Sequence, residues 1–306
     1  MTSRTVPPDH PFSGVVNLPR DDAADSVAEP TAHGALHWAP LRAPGYSARM
    51  QAIAQWVADA EPEACVVDVS VEVAVFLRLL GVPVVVVALP GDRSDAAHTL
   101  VHQVADHILA AWPAELNSPH WLLPHAAKTS FVGGITRFES RTPPPDPARA
   151  REAEQDLRVL LLGGAGGGFR DAPPTHAVPR VTWQALGGES GGWVEDPWTE
   201  ICRADVVVSH AGQNSIADIA AARRPAVVIP QPRPFGEQAA TARVLDRHGL
   251  AVAAHGWPAE AQWPDLLHRA RRTDPSQWQR WQVRGAAARA AAAIEATARD
   301  SRPGGS

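Results

Sequence analysis

The sequence predicts an α/β protein built on parallel sheets and divided into two units. Three observations carry that reading. Runs dominated by Val, Ile, Leu and Ala at 64–69, 83–89, 157–162, 205–209 and 226–230 are near-continuously apolar rather than alternating, as strands buried on both faces are. Helical stretches separate successive runs, and such alternation requires crossovers between parallel strands. Between the two sets lies 141–156, rich in Pro and charge, with the composition of an interdomain linker. The expected units are 1–140 and 157–306.

A chain of 306 residues is long enough for two sizeable cores. With 45% hydrophobic and 20% charged residues it reads as a soluble globular protein, and a net charge of −5 gives no general electrostatic reason to bind nucleic acid. No apolar run approaches the ~20 residues that span a bilayer, and 1–11 holds no apolar signal core, so a cytoplasmic protein is expected, with peripheral membrane contact left open. Cys65 and Cys202 sit at the edges of apolar runs and read as buried free thiols. Neither has a second Cys or a His at finger-like spacing, so no metal site is expected.

Taken in order, 1–45 is broken by prolines at 7, 8, 11, 19, 30, 40 and 44, with a short strand expected at 15–18. A helix capped by Ser47 ends before Pro62. Strand 64–69 passes to a helix over 70–80 closed by Gly81; strand 83–89 passes to a helix over 95–106, then strand 107–111. Residues 113–130 read as loop. In the second unit, strand 157–162 leads into the Gly-rich turn 163–168, and prolines at 173, 174 and 179 shorten the helix that would follow. Strand 181–186 and the Gly/Trp-rich loop 187–198 precede the central stretch. A helix over 258–271 and one long Ala-rich helix over 275–298, carrying Trp278 and Trp281, are expected at the end.

The central stretch is 205–238. Strand Asp205–Ser209 gives way to His210-Ala211-Gly212-Gln213-Asn214-Ser215 and a helix to about Ala222; a second strand, 226–230, is followed by a Pro-rich loop with Gln231 and then Glu237-Gln238. Polar residues gather where strands hand over to helices, the edge at which open parallel sheets bind ligands. A helix starting near Gly212 offers unpaired N–H groups and the positive end of its dipole to a phosphate, with His210, Asn214 and Ser215 as further donors. Asp218, three residues after Ser215, shares their helix face and suits sugar hydroxyls. Alone, His210 reads as a core histidine and Asp218 as a solvated helix carboxylate. The register of the set favours the ligand reading.

His210-x-Gly212-x-x-Ser215-x-x-Asp218, followed by Pro225, Pro230 and Glu237-Gln238, resembles the donor-binding signature of GT-B nucleotide-sugar glycosyltransferases, family 28 in particular, and plant-type UDP-glycosyltransferases carry a similar motif. The resemblance implies two Rossmann-like domains facing a cleft. It also implies transfer of a sugar from a UDP-sugar to an acceptor hydroxyl, with inversion, no obligatory metal and no cofactor beyond the co-substrate. It places the diphosphate on His210 and the 212–215 turn, the ribose on Asp218 and the donor sugar on Glu237-Gln238. The loop bearing Gly164, Gly166 and Gly167 would approach the diphosphate, and Trp193 and Val194 the uracil. The family usually has Glu where this chain has Asp218, one methylene shorter.

In such enzymes the acceptor's proton goes to a base in the first domain, near its first strand-to-helix loop. Asp68, where strand passes to helix beside Ser70, is the named base, with His98 and Asp92 behind it. The usual opening strand and Gly/His-rich loop are not found before Val15, so the first domain is expected to be incomplete, with an exposed sheet edge and a tendency to self-associate or to need a partner subunit. Two other readings stand beside the transferase: a non-catalytic nucleotide-sugar-binding subunit completed by a partner, and a UDP-sugar epimerase. The acceptor and the sugar are not legible.

Overall fold

The computed structural model describes residues 1–3, 5–6, 10–22, 27–144, 156–164, 169, 178–187, 192 and 194–301. Two sheets form the frame. The first holds Cys65–Asp68 (β1), Val84–Ala88 (β2), His107–Ala110 (β3) and Thr129–Phe131 (β4), side by side in chain order. The second holds Leu157–Leu162 (β5), Val181–Leu186 (β6), Val206–Ser209 (β7), Ala226–Val228 (β8) and Val252–Ala253 (β9), in the order β6-β5-β7-β8-β9. Every pairing in the two sheets is parallel, in keeping with the near-continuous apolar runs. The expected linker at 141–156 falls mostly outside the described residues.

The two orders differ in a way that matters for ligands. In the second sheet the chain goes outward from β5 to β6, then jumps back past β5 to β7, so its crossovers leave opposite faces at the β5–β7 boundary and open a crevice at their carboxyl ends. In the first sheet no such reversal occurs among the described strands. Right-handed crossovers therefore carry Val71–Leu79 (α2) and Ala96–Val104 (α3) to one face. On the other face Val85, Leu109 and Val132 pack against Ala290 of the terminal helix, Ala286–Asp300 (α8). Val66, on the outermost strand β1, stays 47% exposed.

Local chemistry sets the helix ends. Ser70 caps α2 through Val73 N, and Asp95 caps α3 through His98 N. The first helix (α1) runs Pro44–Ala60, starting before Ser47 because Pro44 occupies its first turn with φ already helical. Over 120–128 the chain is a 3-10 helix rather than a loop, burying Trp121 and Leu122 around an internal Pro124. At 15–18 the only strand pairing among the described residues is one bridge from Asn17 to Thr2.

The long helix over 275–298 is broken. Pro275–Trp281 is a 3-10 helix, and Gln282 (φ 53) and Gly285 (φ 78) take left-handed conformations before α8 begins. The break has a packing cause. Trp278 and Trp281 are buried, with Trp278 Nε1 donating to Arg224 O at 2.9 Å, and the chain then turns so that α8 lies on the first sheet. Glu139 caps α8 by accepting from Gly285 N at 2.6 Å and Ala287 N at 3.2 Å, and Arg289 donates to Val132 O at 2.7 Å. The terminal helix thus crosses back over the first sheet.

Candidate functional site

The crevice at the β5–β7 boundary is where the predicted residues converge. All four residues of β7 are buried, and Ser209 Oγ donates to Leu162 O at 3.1 Å, tying the two strand ends together. Gln213–Ala222 (α5) starts directly after, with Gly212 as its N-cap and no side chain capping it. Its first-turn N–H groups are thus left to a ligand. Gln213 Nε2 is buried there with no hydrogen-bond partner among the described residues. Leu162, Gly163, Gly164, Leu186, Gly187, Val194, Pro197, Asn214, Ser215 and Asp218 line one cleft with Ile135, Thr136 and Arg137 from the chain leaving β4; it measures about 1100 Å³ including its open mouth. A Cβ on Gly164 would lie 3.7 Å from Ser215 Oγ, so the Gly-rich loop and α5 share this wall.

Asp218 is half-buried and accepts a hydrogen bond from Thr136 Oγ1, across the two halves of the chain. Burial lifts its carboxyl above the ordinary range, against the pull of that hydrogen bond and of Arg137. Ala211 is core, 1% exposed, and offers only backbone. Gly166, Gly167 and Trp193 lie outside the described residues.

The packing of His210 is that of the core histidine which its position alone suggests. It is buried, its ring centre lies 4.1 Å from that of Phe169, and its Nδ1–H donates to Ile229 O at 2.8 Å. In the neutral ring the proton therefore sits on Nδ1, and a hydrogen bond from Nε2 to a phosphate needs the imidazolium.

Glu237 and Gln238 open the helix Glu237–Arg247 (α6), and the structure gives them different tasks. Gln238 is buried; its Oε1 accepts from Gln231 N at 2.9 Å and shapes the Pro-rich loop, while its Nε2 comes within 3.9 Å of where a Cβ on Gly212 would stand. Gln231 Oε1 accepts from Arg233. Glu237 pairs with Arg93 of the first half at 3.5 Å. Burial lifts the Glu237 carboxyl, opposed by Arg93 and Arg233. Phe235 (φ 61) rides over Arg93 at 4.6 Å, and its carbonyl accepts from Asp92 N at 2.9 Å, seated against Gly91 (φ 105), where any side chain would collide with it.

Behind Phe235 stands a cluster of which the sequence reading named only His98. Asp95 bridges two histidines: His37 Nε2 at 2.9 Å and His98 Nδ1 at 2.5 Å. Burial pushes the Asp95 carboxyl up, but hydrogen bonds from His98 and His37 outweigh it and hold the group well below the usual range. His98 Nε2 faces Arg93 at 3.3 Å, and His102 stacks on Trp121 at 5.0 Å. The one signal in the sequence was Asp95-x-x-His98, a capping carboxylate one turn from an imidazole. The ligand atoms of His37, Asp95 and His98 lie within 4.8 Å of one another, a spacing open to a metal. The donor set is pre-empted, however. A cation on His98 Nδ1 would place that ring's proton on Nε2, against the Arg93 N–H groups.

Asp68 ends β1 with its side chain exposed and without a side-chain hydrogen bond among the described residues, although the surrounding protein raises its carboxyl by desolvation. Val69 after it has φ 76, an unusual strain for a β-branched residue. Ser70 is the N-cap, and Asp92 is held by Ser94.

Residues 198–255 match the glycosyltransferase family 28 C-terminal domain. The match runs from just before β7 to β9 and includes α5. Among curated relatives, the UDP-N-acetylglucosamine–N-acetylmuramyl-(pentapeptide) pyrophosphoryl-undecaprenol N-acetylglucosamine transferase of Rubrobacter xylanophilus is 28% identical over 196 residues, 57% of this chain and 56% of that protein. The Sorangium cellulosum protein of the same name is 27% identical over 227 residues, 64% of this chain and 53% of its own length. The chain thus spans about half the length of the curated relatives it matches. The crystal structure of Acinetobacter baumannii MurG superposes with a TM-score of 0.60 at 18% identity, covering 84% of this chain and 80% of that one. The calicheamicin glycosyltransferase CalG4 gives 0.54 at 15%, covering 84% and 78%. The fold is GT-B, and α5, which opens into the crevice, lies within the residues that match the family 28 model.

Proposed function

We propose that this chain binds a UDP-sugar at the α5 N-terminus and transfers the sugar to an acceptor hydroxyl, with inversion and without an obligatory metal. The observation that carries the proposal is the uncapped start of α5 at the β5–β7 switch point, opening into a cleft to which both halves contribute. The N–H groups of 213–215 and the hydroxyl of Ser215 bind the diphosphate and stabilise the charge that grows on it as the sugar departs. His210 adds charge as the imidazolium. Asp218 accepts from the ribose hydroxyls in exchange for Thr136, Val194 borders the base, and Glu237 meets the sugar once it leaves Arg93. The relatives' printed names support N-acetylglucosamine as the sugar and a lipid-linked acceptor, which agrees with a peripheral place at the cytoplasmic membrane face. Among the described residues no helix is long and apolar enough to cross a membrane.

The ribose contact gives a direct test. The unmodified chain is expected to bind UDP more tightly than 2′-deoxy-UDP, by roughly tenfold for one hydrogen bond to a charged group, and Asp218→Ala to remove that preference. A preference that survives Asp218→Ala takes the ribose role away from this residue. His210→Ala is expected to weaken UDP binding by roughly 1.5–3 kcal/mol. Because the ring is buried against Phe169, the melting temperature should fall as well. Unchanged UDP affinity with a lower melting temperature would make His210 structural only.

One observation favours a second reading, the partner-completed subunit. β1 is an edge strand, and Val66 on its outward face is 47% exposed, so a strand from a second polypeptide or a second copy has a place to pair. Size measurement in solution, alone and with UDP-N-acetylglucosamine, distinguishes self-association from a monomer. An epimerase reading predicts conversion of the UDP-sugar with no acceptor present.

A further inference from the structure

Asp218, the carboxylate read as meeting the ribose, already carries a hydroxyl of the protein itself. We propose that Thr136 is a specificity-determining residue for the donor: its hydroxyl stands in for a ribose hydroxyl on Asp218, and so admits donors built on a 2′-deoxyribose at a modest penalty; this rests on the donor reading above. Thr136 and Asp218 line the same cleft, and Thr136 Oγ1 donates to Asp218 Oδ1. The hydroxyl is held in place by its own neighbours. Phe138 N donates to Thr136 Oγ1 at 3.1 Å, which occupies a lone pair of the oxygen and leaves its proton for the carboxylate. Phe138 is 1% exposed, with its ring centre 5.2 Å from that of Trp198, and Gly134 N donates to Trp281 O at 3.0 Å. The segment bearing Thr136 is therefore anchored on both sides.

Among the described residues no other side chain donates to Asp218. Arg137 adds charge nearby, but its guanidinium lies over the Phe138 ring at 4.9 Å. Ser215, one turn earlier on α5, stands beside the Gly-rich loop, 3.7 Å from where a Cβ on Gly164 would be.

A site that hydrogen-bonds a ligand hydroxyl rejects the analogue lacking it chiefly because its own buried polar group is then left unpaired. Asp218 escapes that cost. Burial works against its charge, and the Thr136 bond offsets part of the penalty. When a ribose arrives, Asp218 exchanges one hydroxyl for another, and the gain is the difference between the two bonds. When a 2′-deoxyribose arrives, the Thr136 bond stays. The choice between the two ligands is thus softened by a residue that belongs to the first half of the chain.

The experiment is calorimetric titration of the full chain with UDP and with 2′-deoxy-UDP, beside a melting curve on each sample. Thr136→Val keeps the branched shape and removes the hydroxyl. It is expected to bind UDP a few-fold more tightly, because no internal bond is given up, and 2′-deoxy-UDP more weakly. The preference for UDP should widen from roughly tenfold to roughly a hundredfold. Thr136→Ser should keep the ratio of the unmodified chain. A purely structural role would weaken both nucleotides alike and leave the ratio where it was. Should Thr136→Val fail to fold, Thr136→Ala carries the same expectation. An unchanged or narrowed preference in the variant without the hydroxyl, or a widened one in Thr136→Ser, overturns the assignment while the donor reading stands. If the unmodified chain fails to bind UDP, the donor reading is what falls, and the proposal falls with it.

Discussion

Acidification from pH 7 to pH 4 is expected to cost the fold roughly 3 kcal/mol through His102 alone. Burial, with smaller contributions from His98 and His125, lowers this imidazole from an ordinary 6.5 to about 4. The unfolded chain takes up a proton near pH 6.5, and the folded chain does so only near pH 4. The contribution is therefore complete above pH 6.5 and is lost as the pH falls between those values. Asp218 and Glu237, whose carboxyls are raised, act in the opposite sense, since their folded forms hold protons more tightly. His102→Phe isolates the effect because it keeps an aromatic ring against Trp121. Denaturant melts at pH 7 and pH 4.5 should show a smaller loss for the variant than for the unmodified chain; equal losses would mean that His102 is not the acid-sensitive group.

Gly134→Val is expected to be the most damaging single change near the cleft. A side chain at this position would enter the Trp281 ring and press on Ala217 of α5 at 3.3 Å, while Gly134 N already donates to Trp281 O at 3.0 Å. Overpacking of this kind costs about 1–3 kcal/mol, and more where the neighbour cannot give, as here, where Trp281 is 4% exposed. The function should suffer too. Two residues on, Thr136 meets Asp218 across the cleft, so moving 134–136 widens the donor site. A melting curve and a UDP titration on the same sample test both parts, with Gly134→Ala expected to fall in between. A variant that melts lower but binds UDP normally would show that the two halves are not coupled through this segment.

What was legible in the sequence shares a physical character. The unit β7–α5–β8 was readable because its strands are uninterrupted apolar runs and its turn carries the ligand residues within a few positions. Contacts made by residues far apart in the chain were not readable. His37 meets Asp95 over 58 positions and Thr136 meets Asp218 over 82, and no local pattern marks either pair. The closure of Phe169 and the Ile229 carbonyl around His210 is likewise a contact between residues far apart in the chain. The terminal helix was drawn too long because the Ala-rich 286–298 dominated the reading, although Gly285 stood in plain view as a place for a left-handed turn. Residues 113–130 read as loop, whereas the burial of Trp121 and Leu122 holds a 3-10 helix together over 120–128.

The central claim is that the start of α5 is a uridine diphosphate site. Calorimetric titration of the unmodified chain with UDP and, separately, with ADP tests it most directly. Saturable binding of UDP with clearly weaker binding of ADP is the predicted result. Equal affinity for the two, or no binding of either, would contradict it.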